Sequence, residues 1–286
     1  MPEGHTLHRL ARLHQSRFGG DAVQVSSPQG RFAASASVVD GTVFERAEAH
    51  GKHLFHVYGP DHVVHVHLGL YGGFTESEVP LAEPRGKVRM RVVGRTHGCD
   101  LRGPNTCELI TKAEVDALQA RLGPDPLRSD AEPDRAWERI ARSRTAIATL
   151  LMDQKVLAGV GNVYRAEVLF RHGIPPHTPG RELDARQWSS IWNDLVGLMH
   201  EGVRVGRIDT VRTEHSPEVT GRAPRQDRHG GEVYVYRRAG GSCLVCASPI
   251  ATEELAGRHL YWCPSCQSAC PEIRAHDQSS ATPPSL

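Results

Sequence analysis

No stretch of this chain is apolar for long enough to span a bilayer, which excludes a helical membrane anchor. The first twenty residues carry charges and histidines throughout, so they do not read as a secretory signal. A soluble, cytoplasmic protein is therefore expected. Net charge is nearly absent as well, at +1. That total neither demands nor forbids a polyanionic partner, because a basic face can stand opposite an acidic one. Lysine is scarce, occurring only at Lys52, Lys87, Lys112 and Lys155, so most of the 34 basic residues are arginine. Two readings of this bias stay open: a GC-rich coding sequence, or phosphate contact, for which the planar guanidinium fork is well suited. There is no internal repeat.

What is present is enough for a packed core: 286 residues, 39% hydrophobic and 23% charged, allow two domains or one with appendages. Residues 4–18 place Leu7, Leu10, Ala11 and Leu13 at a helical period. From about 22 to 102 the pattern becomes short β-rich runs broken by glycine and proline, such as 54–58, 62–68 and 88–93. An antiparallel β domain led by one helix is expected there. A short helix at 113–122 is followed by Gly123-Pro124-Asp125-Pro126, and the stretch to Pro133 reads as a hinge. Helices are then expected at 135–143, 146–156, 163–172 and 184–201, the last with Trp188, Ile191, Trp192, Leu195 and Leu198 on its core face. Residues 216–231 read as a loop and Val233–Tyr236 as a strand. The fold class is thus α+β and multidomain, with expected boundaries at 2–122, 134–230 and 232–270. The tail 271–286 has nothing to bury and is expected to be disordered.

Seven cysteines are an odd number, and four of them share one short segment. Such an arrangement is no secreted disulfide framework; it points to a reducing compartment and a metal. Cys243-x-x-Cys246 and Cys263-x-x-Cys266, with sixteen residues between the pairs, have the spacing of a four-thiolate zinc site. A closed sulfur shell leaves no position for water, so one structural Zn2+ is expected. Metal binding supplies much of the folding free energy of so small a unit, about 10 kcal/mol in isolated fingers. Cys270 is left over, and Cys99 and Cys107 read as small buried residues. Between the pairs, Ala256-Gly257-Arg258 has the makings of a tight turn that projects Arg258.

In the helical region, Leu151-Met152-Asp153-Gln154-Lys155 precedes Ala158-Gly159-Val160-Gly161-Asn162. The two glycines permit tight turns and close backbone approach. The start of the next helix offers free N–H groups suited to a phosphate, with Asn162 as a candidate cap.

Four motifs occur in order: Met1-Pro2-Glu3-Gly4, then Gly51-Lys52, then Leu151–Tyr164, then Gly257-Arg258 leading to Cys263-Pro264-Ser265-Cys266-Gln267. Together they resemble the formamidopyrimidine-DNA glycosylase/endonuclease VIII family over nearly the whole chain, from Pro2 to Gln267. The resemblance implies an N-terminal helix and β-sandwich, a helix–two-turn–helix lobe with a zinc hairpin, and DNA in the cleft between them. It implies that Pro2, once Met1 is removed, is the nucleophile and Glu3 its acid/base partner, with Lys52 a catalytic lysine. It implies that Asn162 and Arg258 contact phosphates, that Lys155 lies in a DNA-binding segment, and that Leu70-Tyr71 forms a wedge pushed into the duplex. Two positions depart from the pattern. Gly69 stands where a larger wedge residue is usual, and Thr6 where many members carry a second glutamate.

The implied chemistry suits these groups. An amine attacking the deoxyribose C1′ forms a Schiff base, which serves both base removal and strand cleavage. A secondary amine yields a fixed iminium, and an α-amino group titrates near ~8 against ~10.4 for a lysine, so more of it is neutral. Glu3 can relay protons, and Lys52 can lower the amine pKa by repulsion. A base inside the stack must first be turned out. Tyr71 and Leu70 then fill the vacancy, the alternative being plain core packing. His65-Val66-His67, with His50, His53, His56 and His62 nearby, raises a second metal site, although no third ligand is specified.

The function expected is removal of oxidised bases, pyrimidines favoured, with strand cleavage at the abasic site by β- or β,δ-elimination. The partner is damaged double-stranded DNA, bound by a monomer with no membrane involved. The cytoplasmic expectation becomes nucleoid association if the source is bacterial. Two alternatives remain within the family, a catalytically silent binder of damaged DNA and an oxidised-purine glycosylase. A third, a zinc-ribbon transcription regulator, accounts for the cysteines but not for the N-terminus.

Overall fold

The computed structural model describes residues 2–227 and 230–268. Helix α1 (Gly4–Phe18) leads into a sandwich of two four-stranded antiparallel sheets. After β1 (Gln24–Ser26) comes a short helix α2 (Ala33–Val39), then β2 (Arg46–His50), β3 (His53–Val57), β4 (Val63–His67), β5 (Gly73–Glu78), β6 (Val88–Val93), β7 (His97–Arg102) and β8 (Thr106–Ile110). One sheet runs β1-β6-β7-β5 and the other β2-β3-β4-β8. Strand β6 shows why they stack: Val88, Met90 and Val92 are buried while the residues between them are half-exposed. The outer face of β3 and β4 is covered too. Phe55, Val57 and Val63 pack against Val115 of α3 (Lys112–Ala120), a helix that Thr111 and Glu114 start with a reciprocal capping box.

The second lobe is helical: α4 (Pro133–Ile140), α5 (Ile147–Leu150), α6 (Asn162–Arg171) and the long α7 (Ala185–Val205), followed by a turn of helix, α8 (Pro217–Thr220). On α7, Trp188, Ile191, Trp192 and Leu195 are buried as expected, with Met199 fully buried and Leu198 only partly so. A hairpin of β9 (Ala251–Leu255) and β10 (Arg258–Trp262) packs against α6. Gln267 docks it, accepting from Cys263 N at 2.9 Å and donating to Ile174 O at 2.9 Å. Each lobe has its own apolar core. Helix α1 bridges them, touching β2 and β3 on one side and α7 on the other. Its Arg9 donates to Val203 O at 3.1 Å and Arg204 O at 3.2 Å, satisfying carbonyls that the end of α7 leaves free.

Local expectations change in places. Helix α2 arises within the stretch read as mostly β, and α8 within 216–231, read as a loop. The helix read over 146–156 stops at Leu150, because Gln154 replaces the helical ladder. Its side chain accepts from Gly159 N at 3.0 Å and donates to Met152 O and Val160 O, both at 3.0 Å. Val233–Tyr236 is not a strand. The buried Glu167 carboxylate gathers the N–H groups of Tyr234, Val235 and Tyr236 at 2.7, 2.9 and 2.8 Å, which curls the backbone away from any ladder. The 123–133 stretch, read as a hinge, is pinned at its start. Asp125 is buried and accepts from His8 Nε2 and Gly51 N, each at 2.7 Å, and from Leu127 N at 2.9 Å. Cys270 and the tail 271–286 lie outside the described residues.

Candidate active-site cleft

Helix α6 is buried on all sides from Asn162 to Phe170, so its N-terminal amides need partners inside the protein. Glu3 supplies them. Its fully buried carboxylate accepts from Gly161 N at 2.9 Å and Val163 N at 2.8 Å, with a longer contact from Tyr164 N at 3.4 Å. The helix end expected to receive a phosphate is therefore occupied by a carboxylate from the other lobe. Gly161 makes this possible, since a Cβ there would stand 2.4 Å from Glu3 Cδ. Gly4 and Gly159 also press together, with Gly4 N donating to Gly159 O at 2.8 Å and a Cβ on Gly4 blocked 2.8 Å from Gly159 Cα. The close approach read from the glycines holds.

Lys52 sits at the tip of the β2–β3 hairpin. His50 pairs with His53, and Gly51 takes the positive φ of +58° that the two-residue turn requires. The side chain is half-buried, and Nζ donates to Val160 O at 2.8 Å. Burial pushes its pKa down, with Arg258 adding to the fall and Glu3 opposing it. For Glu3, burial pushes the carboxyl up, against Lys52 and the three amides.

Pro2, Glu3, Lys52, Leu70 and Arg258 line one cleft between the lobes, of about 740 Å³. Pro2 is half-buried and also lines a second, smaller pocket of about 270 Å³ with Thr6, Arg225 and Tyr236. Leu70 and Tyr71 lie in the tight turn between β4 and β5, closed by Gly72 N to Leu68 O at 3.0 Å. Core packing does not explain them, because Tyr71 is 91% exposed and Leu70 46%. Arg258 follows the β9–β10 turn, where Ala256 and Gly257 both take positive φ (50° and 70°), and its side chain is exposed.

Asn162 does not cap α6; the cap position is Gly161. Its amide is committed elsewhere. Nδ2 donates to His259 O at 2.9 Å, and Oδ1 accepts from Arg165 Nη2. Lys155 is exposed but outside the cleft lining, its carbonyl accepting from Arg139 Nη1. Sequence reasoning assigned no role to three residues that the fold makes central: Asp125, Gln154 and Arg165.

The cysteines meet the test for zinc. Cys243, Cys246, Cys263 and Cys266 place their sulfurs within 4.8 Å of one another, with two pairs at 3.8 and 3.4 Å. Zn–S bonds of about 2.3 Å in a tetrahedron separate sulfurs by about 3.8 Å, whereas a disulfide needs about 2 Å. Val245 N and Cys266 N each donate to a cysteine sulfur at 3.4 Å, as thiolate ligands require. The four cysteines hold one structural zinc. Cys99 is buried and Cys107 half-buried, both free.

The histidines gather differently. Among the described residues the four cysteines are the one metal-competent group. His14 Nδ1 lies 2.9 Å from His56 Nε2 inside the sandwich. His53 Nδ1 lies 2.8 Å from His65 Nε2, whose Nδ1 is 3.0 Å from Glu108. Burial holds His53 down to about 3 and lowers His65 and His67.

Comparison with known proteins agrees with this architecture. Residues 1–106 match the formamidopyrimidine-DNA glycosylase N-terminal domain family, 122–214 its H2TH domain, and 240–269 the zinc finger found in FPG and IleRS. The chain is 58% identical to Endonuclease 8 1 of Mycobacterium tuberculosis over 272 residues, covering 94% of this chain and all of that one. It is 30% identical over 285 residues to a formamidopyrimidine-DNA glycosylase of Parasynechococcus marenigrum, covering 93% and 99%. The fold matches the Lactococcus lactis Fpg (MutM) in complex with N7-benzyl-Fapy-dG DNA, with a TM-score of 0.76 at 21% identity, covering 93% and 100% of the two chains. No helix among the described residues is long and apolar enough to cross a membrane.

Proposed function

Because the chain belongs to the formamidopyrimidine-DNA glycosylase/endonuclease VIII family, we propose that Pro2 is the nucleophile of a DNA glycosylase and AP lyase of base excision repair. The observation that carries the reading is the position of Pro2, at the junction of the large cleft and the smaller pocket. The duplex backbone would follow the cleft, and the extrahelical base would enter the pocket. With Met1 removed, the secondary amine of Pro2 attacks C1′ as the base departs with its bonding electron pair and a proton; the C1′–O4′ bond then breaks, O4′ takes a proton, and Pro2 and C1′ are left joined as an iminium. The resulting iminium draws electrons from C2′; loss of a C2′ proton then expels the 3′ phosphate.

Glu3 and Lys52 serve opposite needs. Lys52, half-buried beside Pro2 in the cleft lining, would repel a second ammonium there and so favour the neutral amine. Glu3, held up by burial, can take and return a proton near the opening sugar. Arg258 on the hairpin tip would grip a phosphate from the far side; Asn162 would reach the backbone only through the second N–H of its Nδ2, and the exposed Lys155 only beyond the cleft lining. Leu70 and Tyr71 would enter the vacancy, one aromatic stack offsetting about 1–3 kcal/mol of unstacking. The higher identity to Endonuclease 8 1 and the adjacent Leu70-Tyr71 pair support oxidised pyrimidines as the preferred lesions. Since both walls of the cleft come from one chain, we read the enzyme as working as a monomer, on chromosomal DNA in the cytoplasm.

Borohydride reduction tests the assignment. Mixed with an abasic duplex and sodium borohydride, the protein should become covalently joined to DNA, and Pro2→Gly, which exchanges the secondary amine for a primary one, should sharply reduce strand cleavage while duplex binding persists. Undiminished cleavage, or a trapped peptide joined through a residue other than the N-terminal one, would remove Pro2 from the mechanism.

A further inference from the structure

Among the described residues Arg165 is the one fully buried arginine, and it differs from two half-buried ones. Arg91 is bound by Asp100 at 2.6 Å and Arg171 by Asp194 at 2.6 Å. Arg165 is 1% exposed, yet among the described residues it forms no ion pair within 4 Å. Its contacts are all to neutral oxygens: Asn162 Oδ1, His259 O at 3.2 Å, and Ala148 O at 3.4 Å. Its Nε–H is buried without a partner. A guanidinium remains charged under these conditions, and burial opposes that charge; Glu3 offsets part of the cost through space, but no carboxylate is bonded to it. The side chain lines the large cleft, the same cavity that Arg258 and Lys52 line.

We propose that Arg165 is a phosphate-binding residue of the cleft floor, whose directly bonded anion is a backbone phosphate of the substrate strand. This rests on the reading of the cleft as the DNA site. The chemistry is the free Nε–H together with an Nη2 whose present acceptors are neutral, an edge that matches two oxygens of a phosphate. The contacts to Asn162 Oδ1 and His259 O hold this edge in place. They also couple it to the hairpin that carries Arg258, so helix and hairpin approach the strand as one unit.

The test compares the full-length zinc protein with Arg165→Met and Arg165→Lys, using a duplex that contains a stable abasic-site analogue, across a salt series. Arg165→Met should bind ten- to a hundredfold more weakly, with a salt dependence shallower by about one phosphate contact, while zinc content stays at one per chain. Arg165→Lys should lose affinity but keep the slope, because it retains the charge without the fork. A Met variant that loses affinity with an unchanged slope would overturn the proposal, leaving Arg165 a packing residue, and so would unchanged affinity. If Arg165→Met does not fold, the Lys variant decides: binding indistinguishable from the parent refutes a role for the fork. Failure of the parent protein to prefer the abasic duplex over undamaged DNA would instead sink the reading of the cleft itself.

Discussion

Replacing Glu3 by glutamine separates two jobs that this residue holds at once. The carboxylate offers Oε1 to Val163 N at 2.8 Å and Oε2 to Gly161 N at 2.9 Å. A glutamine can keep one of these bonds. Its amide nitrogen then faces a second N–H, leaving a buried donor unmatched and removing negative charge from the start of α6. Loss of a charge-assisted bond costs about 1.5–3 kcal/mol, and loss of the helix-end charge up to about 2 kcal/mol. Part is returned, because the neutral amide avoids the burial that pushes the Glu3 carboxyl up. The net expectation is about 3 kcal/mol. At roughly 2–4 °C per kcal/mol for chains of this size, that predicts a melting temperature lower by about 6–12 °C. Glu3→Gln should therefore lose stability along with base excision, measured by calorimetry beside a strand-cleavage assay. A variant that loses excision but melts with the parent would refute the claim that Glu3 caps α6 across the lobe boundary.

Other consequences follow from the same geometry. Burial opposes ionisation of Asp194, but the bonds from His172 and Arg171 outweigh it and hold its pKa down to about 2. A folded-state pKa below the ordinary value gives stability that is present above about pH 4 and lost as pH falls toward 2. After discounting for partial solvent screening, Asp194→Asn should cost about 1–2 kcal/mol at pH 7 in urea melts, with the gap narrowing below pH 4; a gap that is constant with pH would count against it. Tyr71→Ala should weaken binding to lesion-containing duplex by about 1–3 kcal/mol without moving the melting temperature, since the ring packs on little of the protein. A fall in stability instead would mean that the ring supports the fold.

Much of the site was legible in the chain because its signals are local. A zinc site of four cysteines is written in two short spacings, and the hairpin tip in a turn that accepts Ala256-Gly257. Glycine permits close approach, and Gly4, Gly159 and Gly161 all proved to be contact points between lobes. The order of motifs indicated the family, and through it the roles proposed for Pro2, Glu3 and Lys52.

Tertiary structure decided what depends on a partner far along the chain. Asn162 has the side chain of a helix cap, but a carboxylate 159 residues earlier takes that place, so its amide turns to His259. Val233–Tyr236 has the composition of a strand, yet Glu167 collects its amides before any neighbouring strand can. The helix after Ala146 ends early because one glutamine side chain competes with the backbone ladder. Arg165 looks ordinary in the sequence, and only enclosure reveals a charge to which no carboxylate is bonded. Local propensity selects the elements; which polar group satisfies which is settled by what burial leaves within reach.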